Sequence, residues 1–329
     1  MIGRTRSVVL MGLAGHLIEV EAHLASSLPA FTIVGLPDAA LGEARDRVRA
    51  AAASSGLRWP ARRVTVNLTP ASLPKSGSVT DLAIAVAALA AAGEIDDARI
   101  AETVHLGELG LDGRVRPLVG TLPMVAAAAA SGAREIVVPI GNLDEARLVD
   151  DVRVRGVASL GELLRDYGST DASPSSLPAV LPHAINGARA VVPDLSDVQG
   201  QADARWALEV AAAGGHHLLM TGPPGTGKTM LAERLPGILP DLSPQEAIAA
   251  TSVHSLAGTL DPQDGLLRRP PFEAPHHSAS AAAIVGGGAM LARPGAISRA
   301  HGGVLFLDES PIPKYTLLSV GSQLVPTVL

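Results

Sequence analysis

The stretch Gly215-His-His-Leu-Leu-Met-Thr-Gly-Pro-Pro-Gly-Thr-Gly-Lys-Thr229 decides the fold of the second half of this chain. From Gly222 onward it satisfies the pattern G-x-x-x-x-G-K-[ST], in which the backbone N–H groups of a glycine-rich loop surround a phosphate. The apolar run 217–220 precedes the loop and a helical sequence follows it. The order strand, loop and helix is typical of an α/β domain.

The loop predicts a binding site for ATP with Mg²⁺. Its glycines let the main chain approach a phosphate without Cβ clashes, and the following helix start adds a favourable dipole. Lys228 is expected to reach the β- and γ-phosphates, and the Thr229 hydroxyl to hold Mg²⁺. The predicted nucleotide-contacting residues are Gly222, Pro223, Pro224, Gly225, Thr226, Gly227, Lys228, Thr229 and Met230.

A second motif follows downstream, where residues 303–309 read Gly-Val-Leu-Phe-Leu-Asp-Glu. Four apolar residues followed by two acids, after a phosphate loop, predict a Walker B strand. Asp308 is expected to bind Mg²⁺ through water, and Glu309 to polarise the attacking water as a general base. Lys228 and Glu309 are therefore the predicted catalytic residues, and Thr229 and Asp308 the predicted metal ligands.

Composition limits the other function classes. The 329 residues contain no cysteine, which excludes a disulfide framework, a cysteine nucleophile and a thiolate metal site. The net charge of −6 gives no global attraction to nucleic acid. No secretory signal is evident, and the longest apolar run, 82–93, is shorter than the roughly 20 residues that span a bilayer. We expect a cytoplasmic protein without a membrane partner.

The first half alternates strand-like and helix-like segments. Residues 7–34 form β-like runs around a turn at 12–15, and Asp112-Gly113 predicts the turn of a hairpin. Residues 168–188 are rich in Ser, Pro and small polar residues, as linkers are. We therefore predict a mixed α/β domain over residues 1–168, a linker over 169–188 and a second domain over 189–329.

Two local clusters leave alternatives open. Basic residues gather in the first domain, either as the solvated face of a helix plus a loop or as a phosphate-contacting patch: Arg45, Arg47, Arg49, Arg58, Arg62 and Arg63. His276 and His277 raise the question of a metal site. We predict none, because neighbouring histidines on a strand point to opposite faces and no third ligand has useful spacing. The sequence 286–295 instead predicts a hairpin that contacts a substrate.

These residues resemble the magnesium-chelatase-like AAA+ ATPases, and most closely the ComM-type competence proteins (YifB family). The similar stretches run in the family's order over nearly all of residues 1–309: VGLPDAALGEARDRVRAA, RRVTVNLTPASLPKSG, LGELGLDGRVRP, AAAGGHHLLMTGPPGTGKTMLAERLPGILP, PFEAPHHSAS and HGGVLFLDE. The resemblance implies a Lon-protease-like N-terminal domain (ribosomal S5 domain 2-like), then a P-loop AAA+ domain. It also implies a hexameric ring and a role in branch migration of DNA during natural transformation.

The Lon likeness raises the hypothesis of a serine–lysine protease. The segment 74–81 reads Pro-Lys-Ser-Gly-Ser-Val-Thr-Asp, with Val79 where the family places its nucleophile. The general-base lysine is expected near 120–123, but no lysine lies between Lys75 and Lys228. A serine needs an adjacent base. We therefore predict no protease activity, and a docking or oligomerisation role for this domain.

After Glu309 the family pattern stops. Residues 310–329 contain no arginine, so they supply no arginine finger. We expect an incomplete AAA+ domain, which binds nucleotide weakly and hydrolyses it poorly. The patternless tail favours an interrupted reading frame, and the alternative is a natural divergent ending. Either of two β-prone segments of the tail, 316–320 or 323–329, partly fills the missing strand position in this interpretation, although Pro326 argues against a central strand. The alternatives are a non-catalytic interaction module with a vestigial ATPase half, and a chelatase-like subunit that remodels protein.

Overall fold

The computed structural model describes residues 1–34, 39–73, 78–96, 99–182, 193–287, 293–308 and 327–328. The chain forms two compact units, Met1–Ala184 and Ile185–Leu329. Each unit has its own hydrophobic core. No helix among these residues is both long and apolar enough to cross a membrane.

The described residues of the first unit form nine strands and five helices. The strands are β1 Ile2–Met11, β2 Ala14–Ala25, β3 Ala30–Val34, β4 Arg63–Thr69, β5 Val104–His105, β6 Glu108–Leu109, β7 Val115–Arg116, β8 Glu135–Pro139 and β9 Arg153–Val157. The helices are α1 Ala39–Ser54, α2 Asp81–Ala92, α3 Thr121–Ala130, α4 Leu143–Ala146 and α5 Leu160–Asp166, with a 3-10 turn at Ile140–Asn142. The expected mixed α/β fold is confirmed.

Seven strands form one sheet in the order β3-β4-β2-β1-β5-β8-β9. The pairs β1–β2 and β2–β4 are antiparallel, whereas β3–β4, β1–β5, β5–β8 and β8–β9 are parallel. The strands β6 and β7 form the hairpin predicted at Asp112-Gly113. Parallel pairs therefore dominate this sheet. Parallel neighbours need crossover connections, which helices usually provide.

Helix α2 is the centre of this core. Every residue from Asp81 to Ala91 is buried, and most of them are alanine or other small apolar residues. It crosses β1 so closely that a Cβ at Gly3 would collide with the carbonyl oxygen of Ala87. Small side chains on the helix and a glycine on the strand permit this approach, which explains the alanine-rich, aromatic-poor composition.

A series of hydrogen-bonded polar side chains lies within the same core, with the fully buried His105 in the middle. Its Nε2 lies 2.8 Å from the Tyr167 hydroxyl, and its Nδ1 lies 2.7 Å from Thr5 Oγ1. The Thr5 hydroxyl donates to the Thr103 carbonyl at 3.0 Å, so Nδ1 carries the proton and Nε2 accepts from Tyr167. Burial, with the nearby Arg155 charge, lowers the pKa of His105 to about 3, and the imidazole is neutral.

The first part of the expected linker is a strap on the first unit. Ser173 N–H donates to the Ser55 carbonyl at 2.8 Å, and Ser175 N–H to Ser159 Oγ at 3.2 Å. Ala172 is buried. Small residues permit this close packing, since a Cβ at Gly161 would collide with the Ser173 carbonyl. Residues 183–192, the rest of the expected linker, lie outside the described residues.

The second unit contains shorter elements. Its helices are α6 Ala202–Gly214, α7 Lys228–Ala232, α8 Leu235–Ile238, α9 Pro244–Ala257, α10 Ala281–Val285 and α11 Ala296–Arg299, with 3-10 turns at Leu195–Asp197 and Pro262–Asp264. Its strands are β10 Phe272–Glu273, β11 Gly286–Gly287, β12 Arg293–Pro294, β13 Val304–Leu305 and β14 Thr327–Val328. The parallel sheet has the order β10-β13-β14, and β11 pairs antiparallel with β12.

The strand expected before the glycine-rich loop does not form. Residues 216–223 have no regular secondary structure. Leu218 and Met220 pack against the core of the second unit, whereas Leu219 is 76 % exposed. This alternation is typical of a strand, but the segment pairs with none of the described strands. A strand needs a ladder partner to satisfy its backbone, and β13 already has β10 and β14 on its two sides.

Candidate functional site

The glycine-rich loop turns at two left-handed glycines. Gly225 has φ of 80° and Gly227 has φ of 82°, conformations that residues with a Cβ rarely adopt. The Thr226 hydroxyl donates to the Pro223 carbonyl at 2.9 Å and closes the loop on itself. Residues 221–226 are exposed, so this loop is open to a ligand.

Lys228 begins α7 directly after Gly227. Its ammonium group donates to the carbonyl oxygens of Gly222 at 3.0 Å and Pro223 at 3.2 Å. The charge therefore lies over the first residues of the loop. Backbone donors and one ammonium group on a single concave turn are the donor set that a polyphosphate accepts.

The structure brings together the two residues predicted to hold Mg²⁺. The Thr229 hydroxyl donates to Asp308 Oδ2 at 3.3 Å, although the residues are 79 positions apart in sequence. Hydroxyl and carboxylate oxygens are the ligands that Mg²⁺ prefers, and two neighbouring ligands of an octahedral ion with bonds of about 2.1 Å lie about 3 Å apart. The pair therefore fits one edge of a magnesium site shared with phosphates and water.

An apolar core supports both motifs. Leu231 and Ala232 of α7 pack in one buried cluster with Leu208 of α6 and with Val304 and Phe306 at the second motif. Helix α7 thereby holds the loop on one side, and β13 carries Asp308 to it on the other. The parallel pairing of β10 with β13 fixes the register of β13, and thereby the position at which Asp308 follows this strand.

Met230 and Glu309 are the two predicted site residues that remain. Met230 is partly buried against the core, and its methyl group lies 3.1 Å from the position that a Cβ on Gly227 would take. It therefore supports the loop from behind. Glu309, the predicted general base, lies outside the described residues, as do residues 310–326 and 329. The β-prone end of the tail is described at Thr327–Val328, where β14 pairs parallel with β13.

One residue that contacts the loop lies outside the sequence motif. Gln201, which precedes α6, donates from Nε2 to the Thr226 carbonyl at 3.1 Å. It lies 21 positions before Gly222, and no loop pattern includes it. The only sequence signal is the polar Gly-Gln pair directly before a helix, which also occurs at ordinary helix starts.

A buried ion pair lies two residues after Val79, the position that corresponds to the Lon-type nucleophile. Asp81 accepts from Arg47 Nε at 2.7 Å and Arg47 Nη2 at 3.1 Å, and from the Leu109 N–H at 3.3 Å. Burial raises the pKa of Asp81 to about 6, although the guanidinium opposes this. The Ser78 hydroxyl donates to Glu108 and not to a base of the lysine type. Lys75 and Ser76 lie outside the described residues.

The strand expected at His276 and His277 does not form. His276 and His277 are in a turn, and their rings are 4.0 Å apart, tilted by 35°, instead of pointing to opposite faces. In a turn the strand alternation does not apply. Still, the described ranges contain no group of three His, Cys, Asp or Glu that could hold a metal ion.

Comparisons with known proteins agree with the order of the two units. The profile of the family described as "Magnesium chelatase, subunit ChlI" matches residues 194–320, and that of "Subunit ChlI of Mg-chelatase" matches residues 20–142. An uncharacterized protein of Mycobacterium tuberculosis is 54 % identical over 320 residues, which cover 94 % of this chain and 60 % of the relative.

Two further relatives match different shares of the chain. Competence protein ComM of Haemophilus influenzae is 43 % identical over 301 residues, which cover 92 % of this chain and 58 % of the relative. Lon protease 2 of Bacillus subtilis is 35 % identical over 127 residues, 34 % of this chain and 21 % of that protease. The chain spans about 60 % of the length of the full relatives that it matches. The chain therefore belongs to the magnesium-chelatase-like family of the ComM type, with a Lon-like N-terminal unit followed by an AAA+ unit.

Proposed function

We propose that the second unit binds ATP with Mg²⁺ at the loop 222–229. The observation that carries this proposal is the contact between Thr229 and Asp308, because it joins the phosphate loop to an acid at the end of a neighbouring strand. Family membership supports an ATPase-type role. The backbone N–H groups of the loop would receive the β-phosphate, and Lys228 would bridge the β- and γ-phosphates.

Mg²⁺, when bound, neutralises charge that develops on the transferred phosphoryl group. Thr229 and Asp308 would hold it, and Glu309 would orient the attacking water, as the sequence predicts. We propose weak nucleotide binding and slow turnover for these 329 residues assayed alone, as the sequence predicts.

Phosphate release and thermal unfolding test this proposal together. We expect Mg·ADP and Mg·ATP to raise the unfolding temperature of the second unit, because a ligand that binds only the folded state stabilises it. Lys228→Ala should abolish the shift, and phosphate release should stay near the buffer rate. Steady turnover that depends on Lys228 would contradict the slow hydrolysis, and an unchanged shift in Lys228→Ala would contradict the site.

We also propose that ATP drives DNA remodelling by a ring of these subunits in the cytoplasm. The support is the resemblance to a protein named for competence, together with exposed arginines on the first unit. Arg58, Arg62 and Arg63 are exposed, and none of the ion pairs formed by the described residues includes them. Arg47 is not part of such a surface, because it pairs with Asp81.

DNA titration separates this role from protein remodelling. Fluorescent single-stranded and branched DNA should bind with an affinity that falls as salt rises, since phosphate contacts release counterions. The triple variant Arg58→Gln, Arg62→Gln, Arg63→Gln should reduce both affinity and salt slope. Binding that the triple variant leaves unchanged would place the DNA contact elsewhere, and no DNA binding by the chain would favour a protein substrate.

A further inference from the structure

Gln201 has a left-handed main-chain conformation and a side-chain hydrogen bond to the phosphate loop. Its φ is 50°, one of only two left-handed non-glycine residues in the part of the chain that the structure describes. L-residues adopt this conformation at an energetic cost, and such residues often mark a functional constraint. The preceding Gly200, with φ of 73°, begins the turn.

The side chain of Gln201 does not serve its own helix. Gln201 is the N-cap of α6, where a side chain ordinarily accepts a hydrogen bond from the first turn. It makes no such cap bond. Its amide group instead reaches the phosphate loop, where Nε2 donates to the Thr226 carbonyl at 3.1 Å and lies 3.1 Å from the position that a Cβ on Gly227 would take.

The bonded carbonyl belongs to the peptide whose N–H group is that of Gly227. This peptide bond is trans, so its carbonyl and its N–H point in opposite directions. A donor that holds the Thr226 carbonyl on one side therefore directs the Gly227 N–H to the other side. Rotation of this peptide is otherwise easy, because Gly227 tolerates many φ values.

We infer that Gln201 is a positioning residue for phosphate binding. Its amide fixes the Thr226–Gly227 peptide so that the Gly227 N–H is presented to the phosphate, and the left-handed turn at residues 200–201 places the amide there. The inference rests on the proposed nucleotide site and names a residue outside the motif that sets the site's affinity. Because it acts on the phosphate cradle, it affects nucleotides and inorganic pyrophosphate alike.

Substitutions of matched shape test this inference in the full chain. Gln201→Glu keeps the size and loses the donor when ionised, Gln201→Met loses it at every pH, and Gln201→Gly also relieves the left-handed strain. Gln199→Glu is the control, since Gln199 is exposed and two positions away. Calorimetry measures the dissociation constants of Mg·ADP and Mg·pyrophosphate at pH 8 and pH 5, and urea unfolding without ligand measures stability.

At pH 8 we expect the three Gln201 variants to bind both ligands about 3- to 10-fold more weakly than wild type, the range for one hydrogen bond. At pH 5 the ratio of Gln201→Glu to wild type should move back toward one, because a protonated carboxyl group donates as the amide does. Gln201→Met should not recover. Gln201→Gly should bind weakly although its stability is equal to wild type or higher, which a merely structural role does not give.

Affinities of Gln201→Glu and Gln201→Met within twofold of wild type at both pH values would overturn the inference. So would a loss with Mg·ADP that is absent with Mg·pyrophosphate, because the side chain would then contact the nucleoside. An equal loss of affinity in Gln199→Glu would show that the added negative charge causes the effect, and it would also overturn the inference. If the wild-type chain binds neither ligand, the proposed function fails and this inference fails with it.

Discussion

The Thr229 hydroxyl and the Asp308 carboxylate meet at 3.3 Å, although they belong to a helix start and a strand end far apart in sequence. The hydroxyl comes from α7, directly after the loop, and the carboxylate follows β13. One buried cluster holds α7 and the residues of the second motif together. The contact therefore depends on the packing of the whole second unit, and it makes the metal requirement of this site testable.

Removing the Thr229 hydroxyl should remove the effect of Mg²⁺ on nucleotide binding. We expect Thr229→Val to bind Mg·ADP about tenfold or more weakly, because a contact with a charged group is lost. Thr229→Ser should bind nearly as wild type does. Titrations of ADP in the presence of Mg²⁺ or of EDTA measure the affinities of both chains. The difference between Thr229→Val and wild type should vanish in EDTA. A Thr229→Val variant with the full magnesium effect would show that the ion is held elsewhere.

The buried pair of Arg47 and Asp81 predicts a pH dependence of stability. The pKa of Asp81 in the folded protein, about 6, lies above its unfolded value near 3.9. The folded state therefore binds the proton more tightly, and the contribution of Asp81 is fully present below about pH 4 and is lost as pH rises through 6. Its size is on the order of 2–3 kcal/mol.

Urea unfolding between pH 4 and pH 7 checks this contribution. The free energy of unfolding of wild type, minus that of Asp81→Asn, should fall as pH rises across that range. Comparison with Asp81→Asn cancels the other titrating groups. Arg47→Met should destabilise the first unit at pH 7 by about 3–5 kcal/mol, because it leaves a buried carboxylate unpaired. A difference curve that is flat with pH would disprove the raised pKa.

The strap over residues 169–182 should stabilise the first unit. It contributes the bonds of Ser173 and Ser175, and Arg114 Nη1 donates to the Pro178 carbonyl at 3.1 Å. The free energy of unfolding of a fragment of residues 1–182 should therefore be about 2–4 kcal/mol higher than that of a fragment of residues 1–168. In the full chain, Ala172→Asp should destabilise the same unit. Equal stability of the two fragments would mean that the strap is only a linker.

The hydroxyl of Tyr167 should contribute to the stability of the first unit. Tyr167→Phe keeps the aromatic face, above which the Arg155 guanidinium lies 5.3 Å from the ring centroid. It leaves His105 Nε2 as a buried acceptor without its donor, which costs about 1–3 kcal/mol. Urea unfolding at pH 7 measures this cost. Stability equal to that of wild type would indicate that water replaces the hydroxyl or that Nε2 carries the proton.

Local sequence patterns predicted most elements of the first unit. The alternation in β4 and the continuous apolar, alanine-rich run of α2 are properties of a few neighbouring residues, and they indicate a strand and a buried helix. The Ser- and Pro-rich composition of the strap is typical of a linker. Its burial depends on the close approach to Gly161, a contact between distant residues that composition does not record.

The same distinction applies to the candidate site. The tight turn at Gly225 and Gly227 was predictable from the motif, because it depends on the loop's own backbone. Gln201 was not, since its bond to Thr226 exists only after α6 and α7 have packed together. The strand expected at 217–220 required a partner strand, and its apolar pattern predicts the alternation of side chains but not the pairing.

A calorimetric titration of Mg·ATP into the purified chain, beside Lys228→Ala, tests the central claim most directly. Lys228 lies over the loop and reaches the carbonyls of Gly222 and Pro223, so its removal takes away the one ammonium group of the phosphate loop. We predict measurable binding by the wild-type chain and none by Lys228→Ala at the same concentration. Equal binding by both chains, or no binding by a folded wild-type chain, would contradict the assignment of this loop as an ATP site.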